Sequence, residues 1–454
     1  MAVWSEPYIY EATANKRIDS EFFHPYFIES EERVLHLSET SRLGDLGDFL
    51  IGPFGSAFHV SSYDHTSSYR YIRGKDVKPF SLLNDDNVYI PTEDFHRLEK
   101  YAVNVDDLLI SVVGTLGNVA IVPEGVEGIF SCKSTVFRNL RVDPYYLLSY
   151  LNCKYGRDCL LRRQRGAVQA GLNKLDLRTV PVPIFRKSEV NIANLVRSGL
   201  KKSEESKEAF NHAKGMLEKE LGFDSLKLHK PRSYEVHLSE ITNSNRVDAE
   251  YFNPQADEIY CLEAFQDSKP LKDVFDVIRG KTPSSYVRSG IPVLKTKNIR
   301  VPIIDETRVD DFTVLESSSN TIKNHDIVLA AMGRGSLGRV SYVFDDSSKA
   351  IIDGTLRLLR AKSGYENATI PTMLFLASVP GQILIYKGTI GSTGIISLPD
   401  SHLRNIRIPF ISSEASDYIS NLVIKSYNAR IVSNDSLLKA KKWVEHLIEA
   451  GIEA

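Results

Sequence analysis

The spacing of apolar residues predicts two long helices, each preceded by a region of short strands. Within residues 188–222, apolar side chains recur every three or four positions, which is the spacing of one helix face. Residues 413–450 repeat this pattern. Elsewhere, short apolar runs such as Leu108–Val113 begin after Asp and end before Gly, as buried strands often do. We therefore predict an α+β fold in which two mixed regions alternate with two long helices.

Each long helix is amphipathic, and its apolar stripe needs a partner. At a rise of 1.5 Å per residue, each helix would be about 50 Å long. Packing one helix against the other as a coiled-coil-like spacer would bury both stripes. The alternative is that each helix folds back onto its own mixed region. Shorter helices are predicted over residues 25–37 and 145–161.

The chain carries the same series of motifs twice, at an offset close to half its length. RIDSEFFHP at residues 17–25 returns as RVDAEYFNP at residues 246–254, an offset of 246 − 17 = 229. DLLIS from Asp107 has a counterpart, DIVLA, from Asp326, and each is followed by a glycine seven residues after the Asp. Many motifs in one order at a nearly constant offset indicate two similar domains with two similar working surfaces.

The repeat also predicts domain bounds and two structural arginines. STVFR at residues 134–138 is aligned with DGTLR at residues 353–357, and the arginine that ends each run is expected to support the fold. We predict a leading arm and first mixed domain at 1–187, a central spacer helix at 188–222, a leading arm and second mixed domain at 223–411, and a C-terminal spacer helix at 412–454.

Composition and charge are those of a globular protein whose partners depend on local patches. The 454 residues are 42% hydrophobic and 25% charged, with a formal net charge of −2. This total neither favours nor excludes nucleic acid, so the distribution of charge matters more. Basic residues concentrate at 69–78, 154–178 and 279–300. Because such patches occur in both repeated domains, they favour a polyanion over a merely solvated surface.

The sequence offers no sign of a membrane span, a signal peptide or a metal site. No apolar run reaches the length of a membrane span, and the N-terminus lacks a signal-peptide pattern. Cys132, Cys153, Cys159 and Cys261 fit no metal-ligand spacing and do not suggest a disulfide framework. We therefore expect a cytoplasmic protein without a metal.

No catalytic pattern recurs in both halves. GRGSLG at residues 333–338 fits G-x-G-x-x-G, but the residues that follow alternate like a strand, whereas a dinucleotide site needs a helix there. The same turn lacks the Lys-Ser/Thr of a P-loop, and DPYY at residues 143–146 lacks the second proline of the amino-methyltransferase motif. His24 is replaced by Asn253 in the second half. We therefore predict a two-headed binding protein and no enzyme activity.

Several motifs that are weak alone resemble those of a known family when taken in order. GPFGS at residues 52–56, YIRGKDV at 71–77 and LNKLDL at 172–177 lie in the first half. PVLKTKNI at residues 292–299 takes the place of YIRGKDV in the second half. Over nearly its whole length, the chain resembles the specificity (S) subunits of Type I restriction-modification systems. The second half departs from the pattern after Gly388, where the Gln and the Leu-Asn-Lys run are missing.

This resemblance implies a non-catalytic subunit that recognises double-stranded DNA. Each mixed domain would be a target recognition domain for one half of a bipartite target. The two helices would form an antiparallel spacer on which two modification (methyltransferase) subunits dock. Those subunits would carry S-adenosylmethionine and methylate adenine, and a separate motor-nuclease (restriction) subunit would cut. The chain itself would hold no cofactor.

The resemblance and the basic patches together predict which residues contact DNA and partner subunits. Lys and Arg would contact phosphates, and Arg, Gln or Asn would contact base edges. The predicted DNA-binding residues are Ser56, Arg70, Tyr71, Arg73, Lys75, Arg163, Arg165, Gln169, Lys281, Ser284, Lys295, Lys297, Arg334 and Lys387. The predicted partner-binding residues are Leu195, Leu217, Leu422 and Trp443.

Three alternatives stay open at this point. The chain could serve a related system in which a fused nuclease-methyltransferase replaces separate subunits, and the sequence does not separate the two. It could be an enzyme with duplicated domains acting on a nucleotide or a sugar, which turnover by the chain alone would favour. It could be a protein–protein scaffold, which DNA retention dependent on Arg73 or Lys297 would exclude.

Overall fold

The chain forms two compact units that share two long helices. The computed structural model describes residues 5–451, apart from residues 7, 54–56, 167–168, 230–231, 315–319, 348 and 392–394. Unit 1 comprises residues 1–204 and 429–454, and unit 2 comprises residues 205–428. Both boundaries fall inside the long helices, so each helix contributes one half to each unit.

Unit 1 has a leading arm of two helices followed by a mixed region. Its helices are α1 (Ile9–Asn15), α2 (Pro25–Leu35), α3 (Thr92–Arg97), α4 (Pro144–Asn152), α5 (Lys154–Arg162), α6 (Lys174–Leu177) and the first half of α7 (Glu189–Glu220). Its strands are β1 (Thr40–Arg42), β2 (Asp48–Ile51), β3 (Arg70–Ile72), β4 (Leu108–Ser111), β5 (Val119–Ile121), β6 (Gly128–Phe130), β7 (Ser134–Arg138) and β8 (Pro181–Pro183). The main sheet has the antiparallel order β2-β7-β4-β5, while β3 and β6 form a parallel pair.

Unit 2 repeats this plan. Its helices are α8 (Leu238–Ser244), α9 (Gln255–Tyr260), α10 (Leu271–Val274), α11 (Thr369–Ala377), α12 (Val379–Lys387), α13 (Asp400–Asn405) and the first half of α14 (Ser413–Ala450). Its strands are β9 (Lys269–Pro270), β10 (Phe275–Arg279), β11 (Ile291–Leu294), β12 (Phe312–Thr313), β13 (Ile327–Ala330), β14 (Val340–Tyr342), β15 (Ile351–Ile352), β16 (Leu356–Ala361) and β17 (Arg407–Ile408). The main sheet, β10-β16-β13-β14, has the strand order of unit 1, and β11 pairs in parallel with β15. The predicted α+β repeat is confirmed.

The helices α7 and α14 run antiparallel to each other within each unit. In unit 1, a Cβ added to Gly199 of α7 would lie 2.9 Å from Leu437 Cγ and 3.2 Å from the carbonyl oxygen of Ser433 on α14. In unit 2, the hydroxyls of Ser206 and Ser426 donate to each other's main-chain carbonyls at 2.8 and 2.7 Å. The predicted pairing of the two helices is therefore confirmed, and the alternative in which each packs only on its own domain is wrong.

The main sheet of unit 1 lies between two apolar cores. Successive strand residues point to opposite faces, so Leu108 and Ile110 enter the core that α4, α5 and the long helices share. Leu109 enters the second core, on the other face. From the long helices, Val196 and Val444 are buried in the first core. Because both faces are covered, the sheet is a rigid support for the loops at its ends.

Strand register corrects one predicted alignment of the repeat. Leu109 pairs with Val136 in unit 1. Its counterpart in the repeat, Val328, pairs with Leu358 in unit 2. Arg138 therefore corresponds to Arg360, three residues beyond the predicted partner. The reason is loop length. The turn between β13 and β14 is two residues longer than the turn between β4 and β5, and the connection from β14 to β15 is one residue longer than that from β5 to β6.

The predicted structural role of Arg138 and Arg357 is confirmed, and Arg360, for which no role was predicted, is structural as well. Arg138 pairs with Asp107 at 2.5 Å, and Arg360 makes the equivalent pair with Asp326 at 2.6 Å. Arg357 is also structural but has a different partner, Asp400, at 2.6 Å.

The helix predicted at 145–161 is two helices, because the chain turns sharply at Cys153. The same break separates α11 from α12, where the two segments are bent by 78°. A Cβ on Gly156 would overlap the carbonyl oxygen of Tyr150, and a Cβ on Gly381 would overlap that of Phe375. Glycine therefore permits the start of the second helix to touch the last turn of the first.

Replacing Gly156 with alanine should destabilise unit 1 by about 2–3 kcal/mol, because the clashing atom is backbone and cannot move aside. Gly215→Ala is the matched control, since Gly215 lies within α7 with nothing near its Cβ position. The control should stabilise the protein by about 0.5–1 kcal/mol. Thermal melting of both variants measures this, and equal effects would contradict the close approach at Gly156.

Within the described ranges, no single helix is long and apolar enough to cross a membrane. One bent pair, Glu366–Ala377 with Val379–Lys387, meets the test by length and composition only. No group of three or more His, Cys, Asp or Glu side chains in the described part of the chain could hold a metal ion.

Candidate nucleic-acid interface

Five loops of unit 1 are adjacent at one end of its main sheet. A Cβ on Gly52 would lie 2.6 Å from the carbonyl oxygen of Ser131, and one on Gly74 would lie 2.8 Å from Lys133 Cβ. The main-chain N–H of Val112 donates to the Lys133 carbonyl at 3.0 Å. We define the edge loops of unit 1 as residues 52–53, 73–78, 112–117, 131–133, 165–166 and 169–171.

Unit 2 brings its equivalent loops together in the same way. Asp353 N–H donates to the carbonyl of Leu294 at 3.1 Å, and Lys281 N–H donates to that of Ile352 at 3.2 Å. Ala331 N–H donates to the Thr355 carbonyl at 2.9 Å. We define the edge loops of unit 2 as residues 280–284, 295–300, 332–338, 353–355, 390–391 and 395–397. Both halves of the repeat thus present one matched set of loops.

The most strongly repeated motif, Arg-x-Asp in the leading arm, fixes one of these loops. Arg17 donates to the main-chain carbonyl of Gln164 at 2.5 Å and stacks over Phe22, 4.5 Å from its ring centre. In unit 2, Arg246 donates to the carbonyl of Thr389 at 2.7 Å and stacks over Tyr251. The motif is therefore structural: it holds the start of the hairpin loop that follows α5 or α12.

Each hairpin loop is closed by a reciprocal pair of main-chain hydrogen bonds. Arg165 and Gly171 exchange two at 2.8 Å, and Ile390 and Ser397 exchange two at 2.9 Å. The closure leaves Arg165 and Gln169 exposed in unit 1. Arg165 is not a free cation, because it pairs with Asp176 at 2.5 Å.

The basic segment of unit 1, which carries Arg73 and Lys75, also has acidic partners. Arg73 pairs with Asp76 at 3.0 Å and with Asp86 at 3.4 Å. Lys75 pairs with the same Asp86 oxygen at 2.8 Å, and this hydrogen bond and charge hold the pKa of Asp86 below its ordinary value. Both cations lie in the edge loops, where sequence predicted them, but neither is without a counter-charge.

The basic segment of unit 2, which carries Lys295 and Lys297, repeats this arrangement with different residues. Lys295 pairs with Asp311 at 3.0 Å, and Lys297 pairs with Asp310 and, at 3.7 Å, with Asp311. The carboxylate of Asp76 accepts from the main-chain N–H of Arg73 at 2.8 Å, and the amide oxygen of Asn298 does the same for Lys295 at 2.9 Å. The proposed equivalence of PVLKTKNI and YIRGKDV thus holds in three dimensions.

Two predicted DNA contacts are corrected, because their side chains are buried. Arg70 is 5% exposed and donates to Asn84 at 2.5 Å and to the Leu83 carbonyl. Arg163 is 4% exposed and forms two hydrogen bonds with Glu31 at 2.6 and 2.9 Å. Neither guanidinium can reach a duplex from these positions. Sequence revealed their charge but not their burial.

Arg163→Ala should cost folding stability instead of DNA affinity. Burial raises the pKa of Glu31, but the hydrogen bonds and charge of Arg163 outweigh burial and hold it below its ordinary value of 4.5. Arg162 also pairs with this carboxylate, at 3.2 Å, so Glu31 keeps one partner. Removing Arg163 should therefore cost about 3 kcal/mol, the lower end of what breaking a buried ion pair costs. The stability supplied by the pair should be present above pH 4.5 and be lost as pH falls below it.

Arg165→Ala is the matched control, because Arg165 is exposed and should cost less than about 1 kcal/mol. Chemical denaturation of both variants at neutral and acidic pH measures the difference. A stable Arg163→Ala variant that binds DNA poorly would contradict the correction.

The remaining predicted DNA contacts fall into three groups. Lys281, Ser284 and Arg334 are exposed in the edge loops of unit 2. Tyr71 is half-buried beside Phe58, and burial raises its pKa to about 12, so it remains a neutral phenol. Ser56 is outside the described residues. Lys387 is the last residue of α12 and not part of the edge loops as defined, and its ammonium lies 3.4 Å from Asp257 of the leading arm.

Sequence reasoning missed Lys133, which is exposed at the centre of the unit 1 edge loops. It precedes β7 and touches both the Gly74 segment and Val112. Its position in the repeat was a usable signal, because a residue just before β7 must lie at the same sheet end as the residues just after β2 and β4. Its unit 2 counterpart is Thr355, so the two surfaces differ here.

The predicted partner-binding residues also divide by exposure. Leu217 is 2% exposed inside the unit 2 core, so its assignment to a partner surface is wrong. Leu195 and Leu422 are partly buried against the cores, while Trp443 is 36% exposed. Sequence reasoning missed other exposed apolar side chains of α14, namely Ile424, Ile431, Val432 and Leu438. Helical spacing alone did not separate these from the core stripe.

Comparison with known proteins gives likenesses in structure only. Neither the family models nor the curated proteins searched gave a match. The chain is similar to the Type I restriction-modification S subunit from M. genitalium, at 12% identity and a TM-score of 0.46, over 91% of this chain and 96% of that one.

Two further solved structures have similar coverage. The HsdS subunit from Thermoanaerobacter tengcongensis matches at 13% identity and a TM-score of 0.28, over 92% of this chain and 96% of that one. A chain from a structure on complex assembly and conformational transition of the type I R-M system matches at 13% identity and 0.29, over 91% and 97%. At such identities and scores, the residues of this chain have to carry any functional conclusion.

Proposed function

We propose that this chain is a DNA-specificity subunit that recognises a bipartite target, one half-site per unit, and recruits methyltransferase and restriction subunits. The observation that carries this proposal is the duplication of the edge loops. Two units with one strand order each present matched loops that bear exposed or half-buried basic side chains. A protein with two such surfaces on one chain is suited to bind a ligand that offers two separate sites.

Charge supports a duplex as that ligand. The net charge of −2 gives no general attraction to DNA, so binding depends on local cations. Lys133, Lys281 and Arg334 are exposed in the edge loops, and no ion pair with an acid is found for them among the described residues. Lysine and arginine at loop tips would contact phosphates, and the loops between them would enter a groove.

The long helices would set the distance between half-sites. Half-sites on one face of B-DNA recur about every 34–36 Å. The 32 residues of α7 span about 48 Å at 1.5 Å per residue. The helix continues without a break through the boundary between units, which suits a spacer more than a flexible linker.

The chain would act through partners and not by its own chemistry. Matched edge-loop positions differ in type, as with Lys133 and Thr355, or Asp76 and Asn298. A shared catalytic mechanism would need the same reactive groups in both. Exposed apolar residues of α14 such as Ile431 and Trp443 would instead be covered by methyltransferase subunits. S-adenosylmethionine would bind to those subunits.

Arg73→Ala should remove a DNA contact of unit 1 only, and Lys297→Ala should remove one of unit 2 only. If the side chain contacts phosphate, the variant should weaken all sequences alike and reduce the salt slope by about one unit. If it contacts a base, one position should be relaxed at a cost of about 1–3 kcal/mol. Binding and methylation patterns across salt, measured with the partner subunits, distinguish these outcomes.

Arg33→Ala is the control for the loss of an ion-paired cation outside the edge loops. Arg33 pairs with Glu29 at 2.9 Å on α2, outside the edge loops. It should leave affinity and pattern unchanged. If neither Arg73→Ala nor Lys297→Ala differs from this control, the proposed DNA-binding face is wrong.

A further inference from the structure

Both basic segments are held by acids that are not equivalent in the repeat. Tyr71 N–H donates to the Val88 carbonyl in unit 1, and Val293 N–H donates to the Asp311 carbonyl in unit 2. By this pairing, Asp311 occupies the position of Val88, whereas the unit 1 acid, Asp86, lies two residues earlier. The same ion-paired arrangement is thus built from different positions in the two units.

The fold has little need of two of these acids, Asp86 and Asp310. The side chain of Asp86 is 66% exposed, and that of its partner Lys75 is 57% exposed. Asp310 is 70% exposed beside Lys297. Exposed ion pairs contribute little to folding because water screens them and long side chains lose freedom. Asp76 is different, since its buried carboxylate binds the Arg73 main chain.

We propose that Asp86 and the Asp310–Asp311 pair are intrachain competitors of DNA phosphate, which occupy the basic segments until a duplex displaces them. This inference rests on the proposed function. A phosphate that approaches Lys75 or Lys297 has to replace a carboxylate already paired with that ammonium. The chain therefore binds every duplex more weakly than its cations alone would permit.

The consequence of such competition is selectivity. Phosphate contacts carry no sequence information, so weakening them lowers the affinity for every duplex. Residence on DNA then depends more on base contacts, which only the target supplies. The acids thus limit the time that the chain spends on unrelated DNA.

The test measures binding of the full-length chain, co-purified with its partner subunits, to a random-sequence duplex. Asp86→Asn removes the competing charge and keeps the shape of the side chain. It should bind about threefold tighter at about 50 mM salt. This is roughly the factor by which the affinity due to one phosphate contact falls when salt is raised from about 50 to 200 mM. The gain should shrink as salt rises, and Asp310→Asn should behave alike.

Asp345→Asn is the matched control, because it makes the same change in net charge. Its exposed carboxylate accepts hydrogen bonds from Ser347 and lies in a unit 2 turn away from the basic segment. A gain as large in this variant would show a general charge effect and overturn the inference, as would an unchanged affinity in Asp86→Asn. Melting curves should show that all three variants fold.

A combined variant locates the effect. If Asp86 acts by occupying the basic segment, its replacement should give a much smaller gain when its two partners, Arg73 and Lys75, are both already alanine. A full gain in that background would overturn the competition. Absence of DNA binding by the unaltered complex is a different result, because it would overturn the proposed function itself.

Discussion

Exchanging residues 43–185 for the matching domain of another such protein should change one block of the recognised DNA and leave the other block intact. All edge loops of unit 1 lie within this range, so every proposed DNA contact of that unit moves with it. The leading arm remains compatible, because Arg17 binds a main-chain carbonyl at Gln164 that any donor sequence supplies. This is the largest change in specificity that we expect from a single alteration.

The exchange has one structural requirement. Glu31 stays behind while both of its partners, Arg162 and Arg163, are replaced, and an unpaired buried carboxylate would cost about 3–5 kcal/mol. The donor should therefore keep arginine at positions 162 and 163, and a second exchange with alanine at both positions serves as the control for folding. Methylation patterns of the exchanged protein should show one altered block. Changes in both blocks would contradict independent recognition by the two units.

Lengthening the long helices should widen the gap between the two blocks. Four residues inserted near Ser203 add about 6 Å of helix, and a base pair rises about 3.4 Å, so the undefined run should grow by one or two bases. The contacts of Gly199 with Ser433 and of Ser206 with Ser426 lie on either side of that point. An insertion in α7 alone therefore breaks the register between the helices.

Paired insertion is the sharper experiment. Four residues added near Ser203 and four near Arg430, its counterpart in α14, should preserve the contacts within each unit. Both blocks should be unchanged, with a longer gap between them. The insertion in α7 alone is the comparison and should be less stable and less active. Unchanged spacing with full activity in the paired variant would show that the helices do not set the distance.

The sequence predicted the long helices and the repeated plan of the two mixed domains better than the state of individual side chains. Periodicity placed the helices within two residues of α7 and α14, because burying an apolar stripe requires regular spacing. It did not reveal the break at Cys153, which depends on contact between Gly156 and Tyr150. It also could not detect three extra residues between β13 and β16, since loop length does not follow a hydrophobic period.

Charged residues were the weakest part of the prediction. Arg70, Arg73 and Lys75 lie within six positions, yet the first is buried, the second half-buried and the third exposed. Burial of a side chain depends on partners distant in sequence, such as Asn84 for Arg70. The acids that hold the basic segments were likewise invisible, because Asp86 and Asp311 occupy different positions in the repeat.

The most direct test of the central claim is to map methylated adenines in host DNA, with and without this chain, in the presence of its partner subunits. The proposed function predicts sites made of two short defined blocks separated by a fixed run of undefined bases, and their loss when the chain is removed. A contiguous target, or methylation that persists without the chain, would contradict recognition of a bipartite site by two units.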